Sequence, residues 1–239
     1  MPQEHEYSND PRAYELTVTL HEGEELLYEA ELGLPDGFKI PESKPAVGFA
    51  PVALVAKRVN SKLKGVPAAP RGSADPAIAA VKLAWDFIKE GAPKASAEGA
   101  STAVLGSDDM AWDHYAAAQK FTSSTYNYRV KNGFGFECVI VDYVARGTFQ
   151  AQYDGKKDVR EGDYMPNVEV YCSKVDLGWG WNLNAKAVLS HISNVGPKGG
   201  KVIPDFNTTL AFNFWTIICN RTNTYSYELR GDQGFVGNV

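Results

Sequence analysis

Several residue types are scarce in this chain, and each scarcity excludes something. Only three cysteines occur, Cys138, Cys172 and Cys219, and no two stand at CxxC spacing. An odd, widely spaced set offers neither a disulfide framework nor a cysteine-based metal site, and it favours a reducing compartment. Each cysteine lies instead in an apolar alternating segment: Cys138 between Phe136 and Ile140, Cys172 after Val168 and Val170, Cys219 after Trp215 and Ile217. Free cysteine in such a place behaves as a small buried hydrophobe, the role expected of at least one of the three. Histidines number four, with no HxH or HxxxH pair, so a zinc site built on imidazoles has no support.

Positive charge is short as well. Lysine and arginine total 24 against 29 acidic residues, a net charge of −5. That balance lacks the basic footprint of a nucleic-acid binder, and it argues against attraction to anionic lipid. No apolar run approaches the ~18 residues of a membrane-spanning helix. The opening Met1-Pro2-Gln3-Glu4-His5-Glu6 has no basic region leading into an apolar one, so no secretory signal is read. On that reading the protein is cytoplasmic or exported by a non-classical route. Neither a GxSxG elbow nor a phosphate-binding P-loop is present, and no cofactor is expected.

What the chain does have is period-two alternation. Val175, Leu177, Trp179, Trp181, Leu183, Ala185, Ala187 and Leu189 share one parity. Asp176, Gly178, Gly180, Asn182, Asn184 and Lys186 share the other. Strand side chains point alternately to two faces, so this is a ribbon with one apolar face and one thin face of glycine and asparagine. Its 15 residues at about 3.3 Å each would span about 50 Å, too long for a sandwich strand. A bend is therefore expected at Gly178 or Gly180. Just upstream, Val168, Val170 and Cys172 carry the apolar residues on even numbers, so the switch to odd numbers predicts a bulge or turn near Lys174.

The same alternation recurs over Tyr14–Leu20 and Leu26–Leu32, separated by a glycine-containing loop, which reads as an N-terminal β-hairpin. Tyr126–Val130 leads to an Asn132-Gly133 turn, and Val139–Tyr153, Leu210–Phe214 and Tyr225–Leu229 alternate again. The fold class is mainly β: an antiparallel β-sandwich with the N-terminal hairpin and two or three short helices. The first helix is expected from Pro51 through Val52, Val55, Ala56, Val59 and Leu63, with Lys57, Arg58, Lys62 and Lys64 on its other face. A second runs from an Asp75 cap to Gly91, and a short helical turn lies within Asp108–Gln119. Residues 1–73 then comprise hairpin, amphipathic helix and linker, and 74–239 comprise a helix followed by the sandwich; one continuous domain is the alternative.

Chemistry is only thinly marked. Asp109 and Asp113 stand at i,i+4, so on a helix both carboxylates share a face and are the candidates for a metal site. Simple capping of a helix start by acidic residues is the favoured explanation of both. Trp179, Trp181, Asn182 and Asn184 are the candidate ligand-binding residues, the indoles for stacking and the amides for hydrogen bonds. Against this, most sandwich aromatics are core. No catalytic set is named, since nothing in the sequence specifies a reaction. The leading reading is a non-enzymatic recognition protein acting at a membrane lipid or glycan surface, in the manner of a toxin-like or pore-forming effector, with a homo-oligomer among its states. The Ser/Thr-rich alternation of 122–128 and 222–227 suits a strand pair that inserts in a membrane. The alternatives are a carboxylate-dependent hydrolase and a self-assembling structural protein.

Overall fold

Alternation becomes strand almost everywhere it occurs. A computed structural model of the protein describes residues 10–40, 52–62, 95–106, 114–153, 160–178, 180–216 and 219–238. In chain order the strands are β1 (Leu16–Glu22), β2 (Glu25–Gly33), β3 (Val52–Ala53), β4 (Val55–Ser61), β5 (Ala95–Glu98) and β6 (Ala100–Val104). Then come β7 (Tyr115–Ala116), β8 (Gln119–Thr122), β9 (Tyr126–Asn132), β10 (Glu137–Phe149), β11 (Gln152–Tyr153) and β12 (Met165–Leu177). The last are β13 (Asn182–Leu189), β14 (Ser193–Asn194), β15 (Pro204–Trp215), β16 (Cys219–Arg230) and β17 (Gly234–Asn238).

An eight-stranded sheet runs β4-β2-β1-β9-β10-β12-β6, with β8 also paired to β10. A seven-stranded sheet runs β17-β16-β15-β13-β5, with β14 on β15 and β3 on β16. Pairing is antiparallel except where β5 meets β13 and β3 meets β16. Strands from both sides of residue 73 share both sheets: β1, β2 and β4 pair into the sheet of β9 and β10, and β3 lies on β16.

One core joins the two sheets, because the inward parity of every long strand is apolar. Aromatic rings form the seam. Tyr128 of β9 stacks on Phe212 of β15 with ring centres 4.1 Å apart, and Tyr126 stacks on Tyr227 at 5.2 Å. Tyr28 meets Tyr225 edge-on at 5.3 Å. The buried Tyr128 hydroxyl accepts a hydrogen bond from Asn223 Nδ2 at 2.8 Å, so the seam satisfies that polar atom as well as filling volume. Cys138 and Cys219 are buried and free, as expected of apolar-strand cysteines, and burial pushes both thiols up to about 11.

The Val175–Leu189 ribbon is two strands in two sheets. β12 ends at Leu177 in the eight-stranded sheet and β13 starts at Asn182 in the seven-stranded one. The chain crosses at the expected glycines. Gly178 N–H donates to Cys138 O, Trp181 N–H donates to Gly178 O, and Gly180 takes φ +81°, a conformation glycine adopts without a Cβ penalty. A Cβ at Gly178 would meet the Cys138 backbone at 3.4 Å, an ordinary van der Waals contact with the neighbouring strand. The parity switch is a bulge: Asp142 pairs with Lys174 and Tyr143 with Cys172, leaving Ser173 as the extra residue.

The helix expected from Pro51 is corrected. Residues 52–61 form β3 and β4, with Ala30 paired to Val59 and Leu32 to Ala56. The i, i+3, i+4 pattern there is carried by β-branched valines, and pairing to β2 overrides a short amphipathic period. β4 is an edge strand exposed along its length, and Lys57 and Arg58 are the charges that keep such an edge from pairing further. Of the helical turn expected within Asp108–Gln119, 108–113 fall outside the described residues, His114 is 3₁₀, Tyr115–Ala116 and Gln119 are strand, and the Tyr115 ring packs on Tyr153 and Tyr164. The Asp75–Gly91 helix lies outside the described residues. Among the described residues the helical content is 3₁₀ alone: the Pro11–Tyr14 turn, capped by the Asp10 side chain, and His114.

Candidate functional site

Three adjacent strands set the outer face of the eight-stranded sheet. Leu16, Val18 and Leu20 of β1 point into the core, which turns Thr17, Thr19 and His21 outward. Register then places Thr17 between Glu31 of β2 and Lys131 of β9, and Thr19 between Glu29 and Arg129. The short threonines form a floor. Longer side chains rise on both sides, carboxylates from β2 and cations from β9. The result is a groove of about 1340 Å³ running along β1. Pro11, Leu34, Gly133 and Gly135 line it at one end, Gly23, Leu26 and Thr125 at the other.

The basic wall is held in place from below. Arg129 Nη1 lies 3.0 Å from Glu137 Oε1, and Lys131 Nζ lies 3.8 Å from the same oxygen. Arg129 Nε donates to Asn127 Oδ1, and Asn127 Nδ2 donates to Asp142 Oδ1. These tethers fix the guanidinium plane before any ligand arrives, which cuts the ordering cost of binding. On the other wall Glu31 has only a long pair with Arg58, 3.6 Å, and Glu29 makes no ion pair among the described residues. His21 sits at the foot of both walls. Burial, reinforced by Arg129 and Lys131 and opposed by Glu29, holds its imidazole below the usual range, so at pH 7 it is neutral and both donates and accepts.

The sequence-predicted residues lie elsewhere. Trp181 faces the core, 9 % exposed, with its ring 5.9 Å from Phe214. Asn182 and Asn184 point the opposite way, onto the outer face of the seven-stranded sheet, so the indole and the amides do not meet in one site. There Asn182 pairs with Trp215 and Asn184 with Asn213, but Trp215 is 4 % and Asn213 5 % exposed, which leaves no open stacking platform among the described residues. Trp179, Asp109 and Asp113 lie outside the described residues. His114, beside the two aspartates in sequence, packs its ring edge-on to Tyr153 at 5.9 Å.

Two other polar clusters serve structure. The buried Asp163 carboxylate takes Lys201 Nζ at 2.6 Å and Gln152 Nε2 at 2.9 Å, tying two loop segments across the Gly162–Val202 bridge. Burial and the neighbouring Asp205 hold the Glu228 carboxyl above the usual range, with Arg230 opposing. Among the described residues no group of three or more His, Cys, Asp or Glu is placed to hold a metal, and no helix is long and apolar enough to cross a membrane. The groove residues Thr17, Thr19, Glu29, Glu31, Arg129 and Lys131 carry a sequence signal only as the polar parity of their strands; their convergence needs the register. No family model matches the chain, and no curated protein or solved structure matches it.

Proposed function

We propose that the chain is a non-enzymatic recognition protein, its two facing sheets a β-sandwich scaffold, that binds a glycan in the groove over β1. The observation that carries this reading is the threonine floor between an acidic and a basic wall. Sugar hydroxyls donate and accept at once, and this groove offers carboxylate acceptors, guanidinium and ammonium donors, and a neutral imidazole within one trough. Its four carboxylates, Glu15, Glu29, Glu31 and Glu137, nearly balance Lys57, Arg129 and Lys131, which favours a ligand of little net charge. The volume exceeds the roughly 300–1,000 Å³ of a small-molecule pocket, which suits an oligomer of several units.

A glycan array followed by titration calorimetry with the best-bound neutral oligosaccharide tests the proposal. Arg129→Ala is expected to weaken binding by about tenfold or more, since it removes charged hydrogen bonds, and Glu29→Gln to weaken it less. Asn184→Ala, on the other sheet, leaves affinity unchanged. The reading fails if no oligosaccharide binds, or if Asn184→Ala rather than Arg129→Ala abolishes binding.

A further inference from the structure

We infer that the end of the molecule carrying Phe134 and Phe136, where Gly133 and Gly135 border one end of the groove, docks on a zwitterionic phospholipid bilayer. The β9–β10 turn is built rigidly around Asn132. Its side-chain Oδ1 accepts the backbone N–H of Phe134 at 3.1 Å and of Phe136 at 3.0 Å, and its own N–H donates to Phe136 O. Gly135, at φ +86°, closes the turn. This fixed tip holds Phe136 at 70 % and Phe134 at 45 % exposure. The other large apolar residues exposed among the described ones, apart from Phe38, are aliphatic: Val55, Val59, Val188, Ile192, Val195 and Val236. Phe38, 36 % exposed, follows β2 at the same end, because Leu32 and Asn132 both pair with Leu16.

Area and charge choose the occupant. With side chains of about 150–250 Å² each, the exposed parts of the three phenylalanines amount to roughly 300 Å². A stable protein partner needs about 800 Å² on each side, whereas rings entering a bilayer interface need no matching surface. Three ion pairs surround the tip: Arg12 with Asp10 at 2.6 Å, Lys57 with Asp36 at 2.5 Å, and Arg129 with Glu137 at 3.0 Å. Arg12 also lies 4.8 Å over the Phe134 ring, which places a guanidinium at the root of the tip. Interleaved cations and anions complement a headgroup layer that carries both signs, not one that is only negative.

Co-sedimentation of the full chain with phosphatidylcholine vesicles tests this, and because those vesicles hold no sugar, it is independent of the glycan reading. Wild type is expected to sediment, and the double variant Phe134→Ser, Phe136→Ser to lose about tenfold or more of its partition while keeping its melting temperature. Val188→Ser, an exposed apolar residue on the other sheet, behaves as wild type. Added phosphatidylserine changes binding little. The inference is overturned if wild type stays in the supernatant, if the double variant sediments equally, or if binding appears only with phosphatidylserine. It is also overturned if sizing shows a dimer that the double variant converts to monomer, since the tip would then be a self-association site.

Discussion

The two sheets share one core and present unlike outer faces. Over β1, β2 and β9 the outward residues alternate in charge from strand to strand, Glu29 and Glu31 against Arg129 and Lys131, across a floor too short to fill the space between. Around Asn182 and Asn184 most outward residues of the seven-stranded sheet are amides and hydroxyls, with Asn213 and Trp215 buried among them, and the nearest charges, Lys186 and Glu98, pair with each other at 3.5 Å. Both faces come from the same period-two rule. What differs is the side-chain length brought into register. A row of long, opposed charges flanking short residues leaves a trough, and a row of similar short amides does not.

The sharpest way to break this comparison is to remove what the two sheets have in common. Tyr128→Ala, which deletes the stack on Phe212 and the bond from Asn223, is expected to cost about 3–5 kcal/mol in urea unfolding. A loss under about 1 kcal/mol would show that the sheets hold independently.

Alkali probes the same core more gently. Burial raises the Cys138 and Cys219 thiols from 9.0 to about 11, and pushes the seam tyrosines up as well. Between pH 9 and 11 the unfolded thiols ionise while the folded ones stay protonated, so stability falls over that window. These groups contribute no slope below it. A melting temperature that rises from pH 9 to 11 would contradict their burial.

Gly180→Ala tests the crossing from one sheet to the other. A positive φ there makes a cost of about 1–2 kcal/mol the expected result by thermal or urea unfolding, and a neutral outcome would mean that the crossing relaxes. The smallest effect sharpens the contrast between faces. Asn184→Ala should change stability by no more than about 0.5 kcal/mol and Arg129→Ala, which breaks the contacts to Glu137 and Asn127, should cost about 1 kcal/mol, although only the second alters glycan binding.

Much of the fold was legible from parity. The N-terminal hairpin, the Asn132-Gly133 turn, the bulge beside Lys174 and the glycine crossing each leave a local mark, because a missing or doubled residue shifts every later side chain to the other face. The stretch 52–61 misled for the same reason in reverse. Its valines fit a helical period over two turns, and only the available edge of β2 decided for strand. The candidate site was less legible. Trp181 and Asn182 are neighbours in sequence, and strand geometry separates them onto opposite faces.

By itself the sequence determined that this protein is built of alternating strands, where the long ribbon must turn, and that at least one of its cysteines belongs inside. Those properties are local: they follow from side-chain direction along one strand and from the conformations glycine allows. Tertiary structure alone decided which strands lie side by side. Glu29, Thr19 and Arg129 come from three segments spread over about a hundred residues, and only hydrogen-bond register across β2, β1 and β9 makes them the two walls and floor of one groove.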